Sequence, residues 1–200
     1  MSTKRMNGLH LHKSGFFFAA VLLMLSITPL SVQSERDTSR DKYRNPYSTL
    51  EFFGLNPEMD VLEISPGGGW YTEVLAPYLK GTLFAAHFNP DGDRAYYKRS
   101  RDNYVKRIES DPKLFKNVSI AIFDADQNIL TVDNDSVDAV LTFRHVHSWL
   151  RSNSESNAFA LFFKALKPGG ILGIVQHRAK PGTTIKAMKN SGYVTEEYVI

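Results

Sequence analysis

The stretch Asp60-Val61-Leu62-Glu63-Ile64-Ser65-Pro66-Gly67-Gly68-Gly69-Trp70-Tyr71-Thr72 limits what this chain can fold into more than any other. Val61 to Ile64 is a short apolar run of the kind that forms a buried strand. Three glycines follow at once, and then Tyr71-Thr72-Glu73-Val74-Leu75-Ala76, a good opening for a helix. Strand, glycine turn and helix bring backbone N–H groups and a helix start up to a ligand beside the strand end. Gly67 and Gly69 carry no Cβ, so backbone can come close to a bound group there. Glu63, near the end of the strand, can accept hydrogen bonds from such a group. The plainer reading is a tight structural turn, because glycine clusters serve that purpose too.

The rest of the chain repeats the alternation. Thr82 to His87 reads as a second buried strand, Val118 to Phe123 as a third, Ser136 to Phe143 as a fourth and Ile171 to Val175 as a fifth. Between them lie a helix from Tyr71 to about Leu79, a surface helix from Asp93 to Ser110 and an apolar helix from Asn157 to Leu166. Gly81 is placed to end the first of these as a glycine after the helix often does. No hairpin signal separates the strands, so the pattern predicts an α/β fold with a doubly wound, mostly parallel sheet. Ligands in such sheets sit at the C-terminal ends of the strands. Pro46 to Phe53 predicts a short helix packed on the core, and Thr195 a cap for a last helix beginning at Glu196.

The ends carry separate signals. A basic segment up to Lys13, the apolar run Phe16 to Ile27, and Val32-Gln33-Ser34 read as a signal peptide over residues 1–34, cleaved after Ser34. The apolar run is short for a membrane span of about 20 residues, although an uncleaved anchor remains the alternative. The mature protein is then periplasmic or secreted, or else membrane-anchored. Residues 35–45 are a charged linker or arm, in which Arg40, Asp41 and Arg44 read as a solvated face rather than a lid over a bound group, and residues 46–200 form the domain. The formal net charge of +3 comes from Lys4, Arg5 and Lys13 in the signal, which leaves the remainder balanced. The basic balance is therefore no sign of a nucleic-acid partner. With no cysteine, thiolate metal sites and cysteine nucleophiles are excluded. No serine sits in a G-x-S-x-G elbow, so hydrolase chemistry has no support.

The pattern Glu63-x-Ser65-x-Gly67-x-Gly69 resembles motif I of the class I S-adenosylmethionine-dependent methyltransferases. Asp124-Ala125 is similar to the pair that the family places beside the adenine. Arg144 to Trp149 resembles its loop after the fourth strand, and Lys167-Pro168-Gly169-Gly170 its turn into the fifth. More narrowly, Arg44-Asn45-Pro46, Phe52-Phe53-Gly54 and Pro66 to Thr72 look like a bacterial group of exported methyltransferases with no known substrate. The resemblance covers residues 40–200. It implies a Rossmann-like fold, S-adenosylmethionine as cofactor and a small-molecule acceptor. It also implies a cofactor site of Glu63, Ser65, Gly67, Gly68, Gly69, His87, Asp124, Ala125 and Arg144, with no metal and no assigned catalytic residue.

Three departures from the family accompany this. His87 stands where an acidic residue holds the ribose; imidazole lacks the bidentate acceptor of a carboxylate, and Asn89 or Asp91 are substitutes. Ser65 replaces a glycine. The family's sixth and seventh strands are missing, so the fold is expected to lack its last strands. The fifth strand is then expected to be an open edge prone to self-association. Two other readings stand beside methyl transfer. One is a degenerate, non-catalytic binding domain, favoured by the doubtful supply of the cofactor outside the cytoplasm. The other is a nucleotide-dependent oxidoreductase. His145 and His147 are candidates for the substrate pocket or plain loop residues, and Trp70 and Trp149 for its walls.

Overall fold

The computed structural model describes residues 36–92 and 94–200, together with Met1. The expected signal over 1–34 otherwise lies outside the described residues. Six strands form one sheet in the order β4-β3-β2-β1-β5-β6. They are β1 (Val61–Ile64), β2 (Leu83–His87), β3 (Val118–Asp124), β4 (Ile129–Leu130), β5 (Val137–Phe143) and β6 (Leu166–Val175). Every pair is parallel except β3–β4. This is the Rossmann-like, mostly parallel sheet that the sequence led one to expect. From β1 the chain steps outward through β2 and β3, and returns to β1's other side as β5. The strand order reverses there, which opens a crevice above β1.

β1 is central because its residues are all buried, on both faces. Alternation then divides the core into two layers. Leu62 and Ile64 join Phe123, Val140, Trp149 and Phe162 on one side. Val61 joins Leu50, Leu75, Leu83, Tyr104 and Leu141 on the other. A buried leucine in either layer contributes roughly 2 kcal/mol by transfer from water. A register shift between Val137 and Ala139 breaks the alternation of β5. Val137 thereby lands in the same layer as Val140 rather than with Ala139 and Leu141.

The helices cover both faces: α1 (Asp41–Arg44), α2 (Pro46–Phe52), α3 (Thr72–Tyr78), α4 (Ala95–Ser110), α5 (Val146–Ser152), α6 (Glu155–Ala165), α7 (Ile185–Ser191) and α8 (Glu196–Val199). Among the described residues no helix is long and apolar enough to cross a membrane.

The structure corrects the sequence reading in several places. A short antiparallel pair, Phe123 with Leu130 and Asp124 with Ile129, adds an unforeseen edge strand to the expected mostly parallel sheet. The predicted loop Arg144–Trp149 is mostly helix, since α5 starts directly after Arg144 and His145. The expected charged arm contains the single turn α1. The Lys167-Pro168-Gly169-Gly170 turn lies inside β6, which is the outermost strand on its side. Gly81 is no helix-ending left-handed glycine: α3 ends at an extended Leu79, and a Cβ on Gly81 would collide with the Met59 carbonyl oxygen. Thr195 precedes α8 without a side-chain capping bond. The unforeseen α7 has one instead, from the Ala187 N–H to the Thr184 hydroxyl at 3.3 Å.

Candidate functional site

β1, β2, β3 and β5 all point their C-terminal ends toward one edge of the sheet, and two clefts lie over it. The smaller, about 520 Å³, is walled by Phe88, Tyr97, Asp124, Ala125, Trp149 and Arg151. The larger, about 900 Å³, is walled by Glu63, Gly67, Gly68, Trp70, Tyr71, Phe143 and Arg144 together with Arg40 and Arg44. Ser65 and His145 line both, so the clefts meet at the end of β1.

The glycine turn forms the floor of the larger cleft. Ser65 sits at φ 53°, a left-handed value that explains why a glycine is usual there. Its N–H donates to the Ala86 carbonyl at 2.8 Å and holds the turn to β2. Gly67 is at φ +60°, and neither on it nor on Gly68 would a Cβ meet anything within 4 Å. That cradle leaves room for a ligand. Gly69 is different: a Cβ there would stand 3.1 Å from the Tyr104 ring, so its missing side chain serves packing.

Glu63 is buried at the base of the larger cleft. Its Oε2 accepts from the Thr72 hydroxyl at 2.6 Å, and the Thr72 and Tyr104 hydroxyls are 3.1 Å apart. Desolvation pushes the Glu63 carboxyl up to about 7, against the lowering by the Thr72 bond. Burial likewise raises the Tyr104 phenol well above its ordinary range. The three groups form a chain with Tyr104 donating to Thr72 and Thr72 donating to Glu63.

His87 is placed otherwise than the sequence suggested. It is fully buried beneath the turn. The Phe88 N–H donates to Nδ1 at 2.8 Å, which leaves the proton on Nε2, and Nε2–H donates to the Gly67 carbonyl at 3.1 Å. Neither nitrogen is left for a ribose hydroxyl, so His87 braces the cradle from below. Burial lowers its pKa to about 4. Of the suggested substitutes, the Asn89 side chain is taken up by the Asp91 N–H at 3.1 Å.

Asp124 and Ala125 stand together in the smaller cleft, as the sequence suggested. Asp124 Oδ1 accepts from the Gln127 N–H at 3.0 Å and shapes the turn toward β4. Trp149, packed edge-on against Phe123 and Phe162, forms the wall behind them. His145 lies 6.2 Å from Trp149, ring to ring, at an interplanar angle of 28°. Burial, then the neighbouring His147, lowers its pKa to about 4 despite a bond to the Ser65 backbone. His147 is held away from the clefts by Gln176, with Nε2 of Gln176 3.3 Å from its Nδ1. Arg144, at φ 69°, is exposed at the rim of the larger cleft. Among the described residues, no group of three or more histidine, aspartate or glutamate side chains is placed to hold a metal ion.

For the roof, the sequence offered Arg40, Asp41 and Arg44 as a solvated face, with a lid over the cofactor as the less favoured reading. α1 lies over Trp70, with the Arg44 guanidinium 4.4 Å and that of Arg36 5.4 Å from the indole ring. Arg36 is also bonded to Asp41 through both guanidinium nitrogens. The one available signal was the Arg40, Asp41 and Arg44 spacing, which looks the same on a solvated face. Tyr71 stacks on Phe143 at 3.4 Å and 8° and extends the flat wall.

An α/β sheet with a nucleoside-sized and a larger cleft joined over a glycine turn defines a class of proteins that bind an elongated nucleotide-like cofactor. The profile described as Methyltransferase domain matches residues 62–174. An S-adenosylmethionine-dependent methyltransferase from Aquifex aeolicus is similar in structure, with a TM-score of 0.64 at 18% identity over 82% of this chain and 79% of that one. A Haemonchus contortus phosphoethanolamine N-methyltransferase, solved with phosphomonomethylethanolamine and S-adenosylhomocysteine, gives 0.56 at 17% identity over 78% and 35%. A Bordetella parapertussis protein described as a possible exported protein gives 0.52 at 16% identity over 72% and 45%. The chain thus spans most of the first of these proteins and less than half of the other two. At such identities the likeness is one of fold. No curated protein matches the chain. The chain belongs to the methyltransferase-domain family. Neither the degenerate binding domain nor the oxidoreductase is favoured by these matches.

The residues present fit S-adenosylmethionine, the group on which the Aquifex protein depends. The cradle at Gly67 and Gly68 is empty, and the buried Trp70 indole N–H has no partner among the described residues.

Proposed function

We propose that the protein transfers a methyl group from S-adenosylmethionine to a small-molecule acceptor that enters through the larger cleft. One observation carries the reading: the two clefts meet at Ser65 and His145. A nucleoside beside Asp124 and Ala125 and an amino-acid arm above Gly67 and Gly68 would join there. When bound, the cofactor supplies an electrophilic methyl on a sulfonium. The rest is alignment, which needs placed groups more than acid or base help. The stacked Tyr71 and Phe143 rings give a rigid wall. His145 stays uncharged at neutral pH, so it does not repel a sulfonium beside it. Glu63 is partly ionised near pH 7 and can accept from an ammonium group. Calorimetry with S-adenosylmethionine and S-adenosylhomocysteine, on protein starting at Glu35, tests the reading. One-site binding of both is expected, and no binding of either overturns it.

We also propose that the protein is exported and cleaved after Ser34. The basic, apolar and small-residue order of residues 1–34 supports this, as does the Bordetella protein's description. Intact mass of protein recovered from the periplasm decides it. A mature chain that keeps Phe16 to Ile27 favours an anchor instead.

A further inference from the structure

We infer that the methyl acceptor is an anion, whose oxyanion group is recognised by Arg40, Arg44 and Arg144. The inference rests on the methyltransferase reading and names the substrate class of the same cleft. Three guanidiniums, Arg40 and Arg44 from the roof and Arg144 from the end of β5, line the larger cleft. Among the described residues none of the three has an ion pair or a side-chain hydrogen bond; the Arg36 guanidinium beside them is fully engaged by Asp41. The carboxylates of the same wall are already partnered. Glu73 pairs with Arg107 at 2.8 Å, Glu63 accepts from Thr72, and Asp37 accepts from the Ser39 N–H at 2.9 Å. Asp37 also faces Arg40 and offsets part of one charge. A surplus of positive charge remains. Burial, with Arg40 and Arg144 close by, lowers the Arg44 pKa, as expected of cations gathered without an anion.

The cofactor does not balance this surplus. It brings one carboxylate against an ammonium and a sulfonium, so it enters as a net cation. One guanidinium at most is answered by that carboxylate. An acceptor without charge would leave the others facing a sulfonium across a partly enclosed cleft, where like charges repel more strongly than in water. A carboxylate or phosphate on the acceptor removes the repulsion and uses the forked donors of arginine, which match both groups in geometry. The Arg44 ring contact leaves this open, since stacking on Trp70 uses the flat face of the guanidinium and frees its N–H edge.

The test is calorimetric titration of protein already saturated with S-adenosylhomocysteine, using inorganic phosphate, acetate and uncharged acetamide in turn. Phosphate or acetate, but not acetamide, is expected to bind, and which of the two binds tighter tells a phosphorylated acceptor from a carboxylic one. Affinity should fall at least tenfold in Arg40→Gln/Arg44→Gln, and should be kept within threefold in Arg40→Lys. Should the double variant fail to fold, Arg144→Gln alone gives the same comparison. Equal anion affinity in parent and variants, or acetamide binding as well as acetate, overturns the inference. Failure of S-adenosylhomocysteine to bind the parent overturns the cofactor reading alone, and the anion titrations are then read on the unloaded protein.

Discussion

At the scale of single residues, the glycine turn separates space from strain. Gly67 and Gly68 both face an empty cradle, but only Gly67 is held at a positive φ. A valine at 67 would therefore fill the cradle and also strain the backbone, by about 1–3 kcal/mol. Gly68→Val fills the space alone. It is expected to lower affinity for S-adenosylhomocysteine at least tenfold in calorimetry while the urea midpoint stays within the error of the parent. Unchanged affinity would show that the cofactor does not use this floor. His87 gives a second residue-scale expectation. His87→Gln keeps one side-chain donor but cannot bridge the Phe88 N–H and the Gly67 carbonyl in the same way. Cofactor affinity should drop through a loosened turn, even though the side chain is buried away from both clefts. Faster amide exchange at Gly67 and Gly68 in the variant would report that loosening directly.

At the scale of elements, packing of α2 on the sheet depends on one position. A Cβ on Gly173 of β6 would stand 2.6 Å from Leu141 Cδ2 and 2.8 Å from the Phe53 ring. Gly173→Val is expected to cost roughly 2 kcal/mol by overpacking, read as a lower urea midpoint. A neutral result would mean that Phe53 swings clear at no cost. β1, β2 and β5 were legible in the sequence because they bury apolar runs on both faces of a parallel sheet; β3 and β6 are only partly buried and were legible by their apolar composition alone. β4 was not legible. Ile129-Leu130 is two residues long and carries no periodicity. Nor was α5, whose seven residues mix histidine and serine with one apolar stripe and begin after the left-handed Arg144. Of the candidate site, the glycine turn was legible because Gly67 and Gly69 hold positive φ, and the Asp124-Ala125 pair only through its resemblance to the family. His87 was misplaced because chain position says which strand end a residue occupies, and not whether its ring turns toward the cleft or under the turn. The roof of Arg40 and Arg44 was ranked behind a solvated face for a similar reason: charged residues on a short helix look the same over a cleft as in water.

For the whole molecule, the buried ionisable groups set how stability varies with pH, and they pull in opposite directions. His87 and His145 have folded pKa values lowered from 6.5 to about 4. The unfolded chain binds their protons first, so what they contribute is complete above pH 6.5 and is lost as the pH falls toward 4. Glu63 is raised from 4.5 to about 7. Its contribution is complete below pH 4.5 and is lost as the pH rises through 7. Between these limits two histidines oppose one glutamate. At least one net proton favours the unfolded chain, since the lowered His147 adds to the two histidines, and stability climbs on the order of 1 kcal/mol per pH unit. Above pH 6.5 the histidines no longer change and Glu63 alone drives stability down. The unloaded protein is therefore expected to be most stable near pH 6.5, with lower urea midpoints at pH 5 and pH 8. Glu63→Gln cannot ionise, so the variant should keep its rise from pH 5 to 6.5 and lose the fall from 6.5 to 8. A parent whose stability stays level from pH 6.5 to 8 would show that Glu63 is already ionised in the folded protein, and with it that the Tyr104–Thr72–Glu63 chain is better solvated than its burial implies.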